Sequence, residues 1–324
     1  MNKSLTVSNK ERIAWIDNVR FFAMLCVILY HSSALVDNEY YYSGWIIESF
    51  NMALFFFLSG LTSYNSVGAI ENIQDWFNFF KKKFIRIMMP CLFVSLLVFQ
   101  KPCSFWFLLT LFYYLMAFAS FHYLCALLKI SRDWAFLLFS LLLFVKVPYV
   151  GNNQEFVLIF VIGLYLSRIG TIDWIYGLSH KKTMMMVING FVLWLLLLPF
   201  YKSFYLNKFY DLIHSHTLYL FLIRQIAAFS FAIACCFLFK ECFNKQSGFS
   251  AWGGQTLGMY IIHVTILALL DSDHLNWVID AQGHIWGNFL EIAGFMVLTV
   301  LTMLMISLFS KWKWSRFLIL GQNL

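Results

Sequence analysis

Ten long runs of apolar residues, joined by short polar connections, leave this chain few structures to choose from. About 20 consecutive apolar residues cross the hydrocarbon core of a bilayer, where the backbone is confined to helices or closed barrels. The runs here are continuous instead of alternating, which selects helices. The expected spans are 19–36, 45–64, 84–100, 105–128, 134–150, 155–169, 184–201, 216–240, 254–271 and 285–310, with 155–169 the shortest. Composition agrees. Of 324 residues 61% are hydrophobic and only 12% charged, about half the share that a water-soluble surface requires. The fold class is therefore all-α: a polytopic membrane protein with about ten transmembrane helices.

Orientation follows from lysine and arginine in the connections. With the N-terminus placed in the cytoplasm, 18 of the 23 basic residues fall inside, from Lys3 to Arg316. Four fall outside, Lys101, Lys146, Lys202 and Lys208, and Arg224 lies within the eighth span. The alternation holds through every connection, so both termini read as cytoplasmic. The run KKKFIR at 81–86 reads as a topology signal before a lipid or nucleic-acid patch. No cleavage site follows the first apolar run, so the first helix reads as retained. Residues 1–18 form a cytoplasmic segment, 311–324 a cytoplasmic tail, and 1–324 reads as a single domain.

Other constellations carry less. The seven cysteines, at 26, 91, 103, 125, 235, 236 and 242, lie mostly inside apolar runs without a CxxC pair. They read as small buried hydrophobes and not as a disulfide framework. His214 with His216, and Asp273 with His274, have spacing too weak to assign a metal. The outer connections collect Asp37, Glu39, Asp271, Asp273, His274, Asp280 and His284 with Tyr40, Tyr41, Tyr42 and Trp277. Aromatics at that level suit the interfacial belt, with a sugar-binding surface as their other use.

An ionisable side chain at the centre of a transmembrane helix costs at least about 2.5–3.5 kcal/mol, so each one marks a candidate function. The candidates are Arg20, His31, Glu48, Arg86, Arg224 and His263. Arg20 and His31 are eleven residues apart, returning to nearly the same helix face after three turns and roughly 16 Å along the axis. Arg86, near the cytoplasmic end of the third span, can also snorkel. Arg224 lies roughly 12 Å below the outer surface. It needs an anionic partner or a wet cavity. His31 has the chemistry of a general base near neutral pH once a neighbour fixes its tautomer, and Glu48 or Asn51 is the expected neighbour.

Arginine, ten residues, then histidine on the first transmembrane helix resembles the signature of the acyltransferase-3 family of bacterial integral membrane acyltransferases. Four further segments are similar to that family: NMALFFFLSG at 51–60, FIRIMMP at 84–90, SFWFLLTLF at 104–112 and LGMYIIH at 257–263. They occur in the family's order and agree with its ten-helix topology. Ala53, Leu109 and Val264 stand where members often carry proline, and Asn51 where histidine is common.

The resemblance implies transfer of an acyl group, acetyl in the usual case, from cytoplasmic acyl-CoA to a sugar hydroxyl of an envelope polysaccharide or its lipid-linked precursor, in a bacterial cytoplasmic (inner) membrane. It implies catalytic roles for His31 and Arg20, binding of the acyl-CoA phosphates by Arg20 and Arg86, and no permanently bound cofactor or metal. Arg224, Glu48, Asn51, Trp106 and His263 become candidates for holding the acceptor or an oxyanion, with Trp106 stacking on a sugar. The expected partners are acyl-CoA, the glycan and the bilayer, with no nucleic acid. Direct transfer and an acyl-histidine intermediate both remain open, as do acetyl and succinyl donors. The competing class is a transporter or flippase of a lipid-linked sugar, against which stand only four prolines and no matched halves.

Overall fold

The structure, a computed structural model, describes residues 13–32, 42–101, 104–145, 147, 154–206, 217–270 and 284–322. Most of the amino-terminal segment lies outside the described residues, as do both metal-like pairs, Cys103 and the outer residues Asp37, Glu39, Tyr40, Tyr41, Asp271, Trp277 and Asp280.

Every regular element described is helical, and each of the ten expected spans falls on helix. Among the described residues six stretches are long and apolar enough to cross a bilayer: 14–32, 44–68, 106–127, 180–200, 221–242 and 288–309. They belong to α1 (Ala14–Ser32), α2 with α3 (Tyr42–Glu48, Asn51–Gly68), α6 (Trp106–Leu127), α10 (His180–Leu206), α11 (Thr217–Cys242) and α14 (His284–Phe309). The stretches 134–144, 157–168 and 256–270 are shorter. The first begins with α7 (Trp134–Ser140), and the others are α8 (Val157–Arg168) and α13 (Thr256–Leu270).

The third expected span is not separate from what precedes it. α4 (Ile73–Lys83) runs on through a π-helical turn at Phe84–Met88, α5 (Met89–Val94) and a second π turn at Ser95–Phe99. π turns of this kind recur at functional positions, and the first of them carries Arg86. Short helices α9 (Thr171–Tyr176), α12 (Gly248–Gly253) and α15 (Lys313–Leu318) complete the described chain.

Small residues set how the long helices cross. A Cβ on Gly60 of α3 would lie 2.3 Å from the Phe160 carbonyl oxygen of α8, and one on Gly163 of α8 would lie 2.4 Å from that of Phe57. The two backbones touch through reciprocal glycines, the close approach that drives association where the surrounding solvent is as apolar as the side chains. Around this crossing Phe56, Phe57, Tyr114, Phe118, Phe139 and Phe160 are fully buried. Large apolar side chains of α10 and α14 face outward instead, among them Leu195, Leu196, Phe289, Val297 and Leu304. These two helices form a lipid-facing rim.

Polar bonds gather the opposite helix ends. Asn18 Nδ2 donates to the Phe243 carbonyl at 2.6 Å and Arg132 Nη1 to that of Gly68 at 3.2 Å. Arg168 pairs with Asp133, and His180 meets Glu241 at 2.5 Å. These ends carry the residues that the charge asymmetry assigns to the cytoplasm.

Candidate active site

α1 is apolar enough to span, yet its first turns hold a charged pair. Arg20 Nη1 donates to Asp17 Oδ1 at 3.1 Å, and Nη2 donates to Thr62 Oγ1 of α3 at 2.8 Å. Asp17 is buried, and Arg20 is partly exposed. The backbone at Asp17 is packed in turn against α12, because a Cβ on Gly253 would lie 1.9 Å from the Asp17 main-chain carbonyl oxygen. Only glycine lets the two segments meet. Gly253→Ala is therefore expected to push α12 off α1, to destabilise the protein by about 1–3 kcal/mol, and to weaken ligand binding at Arg20. Thermal unfolding together with titration of coenzyme A into detergent-solubilised protein checks this; wild-type values in both would refute it.

Arg20 opens on a cavity of about 890 Å³. Lys82, Lys83 and Arg86 line it with Arg20, alongside Ser63, Asn65 and Ser66 of α3. Met24, Phe55, Phe107 and Leu108 also line it and give it an apolar portion. Cations and hydroxyls beside an apolar lining suit a ligand with an anionic head and a long neutral arm. Beyond the cavity wall a chain of packed rings leads from Phe107 to His263: the Phe107 ring centroid lies 5.3 Å from that of Tyr260, and Tyr260 lies 5.6 Å from His263.

His263 is fully buried, and its ring centroid is 5.4 Å from that of His31. Its Nδ1 lies 2.7 Å from the Met259 carbonyl, one turn back on α13. That bond places the proton on Nδ1, leaving Nε2 a buried acceptor without a hydrogen-bond partner among the described residues. Two imidazoles from helices distant in sequence thus converge where sequence reading placed His31 alone. Neither Glu48 nor Asn51 bonds to His31 among the described residues. Asn51 is buried and its Oδ1 accepts from the Met52 backbone N–H at 2.6 Å.

A second cluster surrounds Glu48. Its carboxylate lies near the Tyr30 hydroxyl and the charge of Arg224. Tyr30 and His31 meet edge-to-face at 5.4 Å. Arg224 is buried and forms an ion pair with Glu155, also buried. The guanidinium lies 6.0 Å from the centroid of Phe156, and Trp106 stacks on that same ring at 6.1 Å. Gln225 Nε2 fastens the segment by donating to the Glu155 carbonyl at 2.8 Å. The anionic partner that Arg224 required is thus supplied within the protein.

Glu155, Glu291 and His122 were missing from the sequence-based candidates, although all three are buried. Glu155 opens the sixth expected span and Glu291 lies inside the tenth, so a complete inventory of ionisable residues would have found both. Both ring nitrogens of His122 lack hydrogen-bond partners among the described residues.

Comparison with known families bears on this geometry. Residues 13–99 match the model of a family described as an acyltransferase domain. The model is that of the acyltransferase-3 family, and the match covers 87 of the 324 residues. The matched segment contains Arg20, His31, Glu48, Asn51 and Arg86, and leaves Trp106, Arg224 and His263 beyond it. No curated protein and no solved structure gives a significant match. The chain thus has the helices of a multi-pass membrane protein, and the part of it that resembles an acyltransferase domain includes the arginine and histidine of α1.

Proposed function

We propose that the whole chain acts as one unit that transfers an acyl group, acetyl in the first instance, from cytoplasmic acyl-CoA to a sugar hydroxyl of an envelope polysaccharide or its lipid-linked precursor, at a bacterial inner membrane. The observation that carries the reading is α1 itself. Arg20 borders a cation-lined cavity, and His31, roughly 16 Å further along the same helix, sits against the fully buried His263. Arg20, Arg86 and the neighbouring lysines suit the donor's phosphates, because fixed guanidinium groups bind such oxyanions by charge-assisted hydrogen bonds. The donor's long neutral arm then follows the apolar lining toward the two histidines.

In the reaction, a nitrogen of His31 takes the proton from the acceptor hydroxyl as that oxygen attacks the thioester carbonyl. The tetrahedral intermediate collapses with cleavage of the carbon–sulfur bond. The departing sulfur recovers the proton from the imidazolium and leaves as the free thiol. His263 supports the step by holding an acceptor nitrogen beside His31 in a water-poor setting, where such contacts are strengthened. Because Arg224 already pairs with Glu155, its role in this scheme is to keep the Glu48 region in place, while Trp106 offers an aromatic face at the same cluster.

Mass spectrometry of envelope glycans tests the proposal, using a deletion strain complemented with wild type or with His31→Ala at equal membrane expression. Restoration of an acyl mass increment by wild type alone is expected, and that increment names the group transferred. Equal restoration by both forms would remove His31 from the chemistry. Loss of all exported glycan in the deletion strain would replace transfer by transport.

A further inference from the structure

Beside the large cavity lies a second chamber of about 350 Å³, and Lys82, Arg86, Gly254 and Leu257 line both spaces. The carboxy-terminal segment builds its outer wall. Gly321 adopts φ +62°, and a Cβ there would lie 2.2 Å from the Arg86 carbonyl oxygen, so only glycine fits the conformation and the contact. Gln322 Nε2 donates to Gln255 Oε1 at 2.7 Å, and its backbone N–H donates to the Arg316 carbonyl at 2.9 Å. Leu320 is buried against Gly258. The tail is thereby fastened to the start of α13 and to the π turn that carries Arg86.

From this arrangement we infer that the chamber is a phosphate-monoester subsite for the 3′-phosphate of the donor's nucleotide, with the carboxy-terminal segment as its wall. The inference rests on reading the large cavity as the donor site. Its volume matches roughly a dozen waters, enough for a ribose phosphate and far too little for a second nucleotide. The described residues lining it supply a lysine, an arginine and two carboxamides, with no carboxylate among them. Leu257 and Gly258 of the opening turn of α13 complete the wall. The arrangement favours the nucleotide over a lipid headgroup: Lys82 and Arg86 line both spaces, and coenzyme A divides at its ribose, with the diphosphate and pantetheine arm on one side and the 3′-phosphate on the other.

Calorimetric binding of coenzyme A and 3′-dephospho-coenzyme A to the purified full-length protein tests this, in wild type and in Gln322→Glu, which keeps the side-chain volume and brings a carboxylate to the chamber. Wild type is expected to prefer the 3′-phosphorylated ligand by tenfold or more, and Gln322→Glu to reduce that preference to twofold or less while binding the dephosphorylated ligand as wild type does. Equal affinity of wild type for both ligands would overturn the subsite and leave the donor reading intact. Binding of neither would overturn both. Repeating the titration in nanodiscs with and without phosphatidic acid separates the sources of phosphate. A preference abolished by the anionic lipid in wild type, with the lipid effect lost in Gln322→Glu, would keep the phosphate site and assign it to the headgroup.

Discussion

Replacing His31 by alanine is expected to lower acyl transfer by about 10²–10⁴-fold, the usual contribution of a positioned general base. Donor affinity should stay near wild type, because Arg20 and the cation-lined cavity lie roughly 16 Å away along α1. Release of free thiol by purified protein, measured with saturating donor and acceptor, reads the first quantity, and calorimetry reads the second. His31→Gln should be nearly as impaired, since an amide keeps polarity and approximate size but takes up no proton. A glutamine variant with wild-type turnover would reduce His31 to a structural hydrogen-bonding residue. His263→Gln discriminates further: a residue that only positions His31 should cost less in turnover than His31 itself and leave donor binding unchanged.

The second large effect is expected at the buried ion pair. Removing one member of such a pair strands the other charge in a low-dielectric interior at a cost of about 3–5 kcal/mol. Arg224→Met and Glu155→Leu should each lower thermal stability sharply, with Arg224→Met the worse because it exposes Glu48 and Glu155 to each other without a cation. The double variant should recover the part of the loss that comes from the stranded partner, since apolar replacements of both partners are commonly neutral or stabilising, and should keep the part that comes from Glu48 losing its cation. Its activity then decides what Arg224 does. A stable and active double variant makes the pair architectural, and a stable but inactive one gives the guanidinium a part in handling the acceptor or the oxyanion. Single variants as stable as wild type would show that the pair holds nothing.

Hydropathy and helical periodicity made the helices legible. Runs of about 20 apolar residues leave helix as the only local solution for a single strand of chain in lipid. The eleven-residue spacing put Arg20 and His31 on one face before any partner was known. Lengths were less legible. Among the described residues six stretches reach full spanning length, while Val157–Arg168 and Thr256–Leu270 are shorter and largely enclosed by their neighbours. A helix walled in by protein need not match the thickness of the bilayer, and composition does not reveal that enclosure. The joining of α4 to α5 through π turns was equally hidden, because a π turn is settled by what packs against it.

The sequence by itself determined the membrane class, the helical segments, and the depth and facing of Arg20 and His31, all of which follow from interactions within one helix and between that helix and its solvent. Only the tertiary structure decided which residues meet those two. His263 reaches His31 from α13, Glu155 neutralises Arg224 from the start of the α8 segment, Gly253 seats Asp17 beneath Arg20, and Gly321 presses on the Arg86 carbonyl. The last two of these contacts depend on how closely two backbones approach. That approach is set by glycines whose importance lies in the missing side chain, and the identity of a glycine carries no trace of the partner it admits.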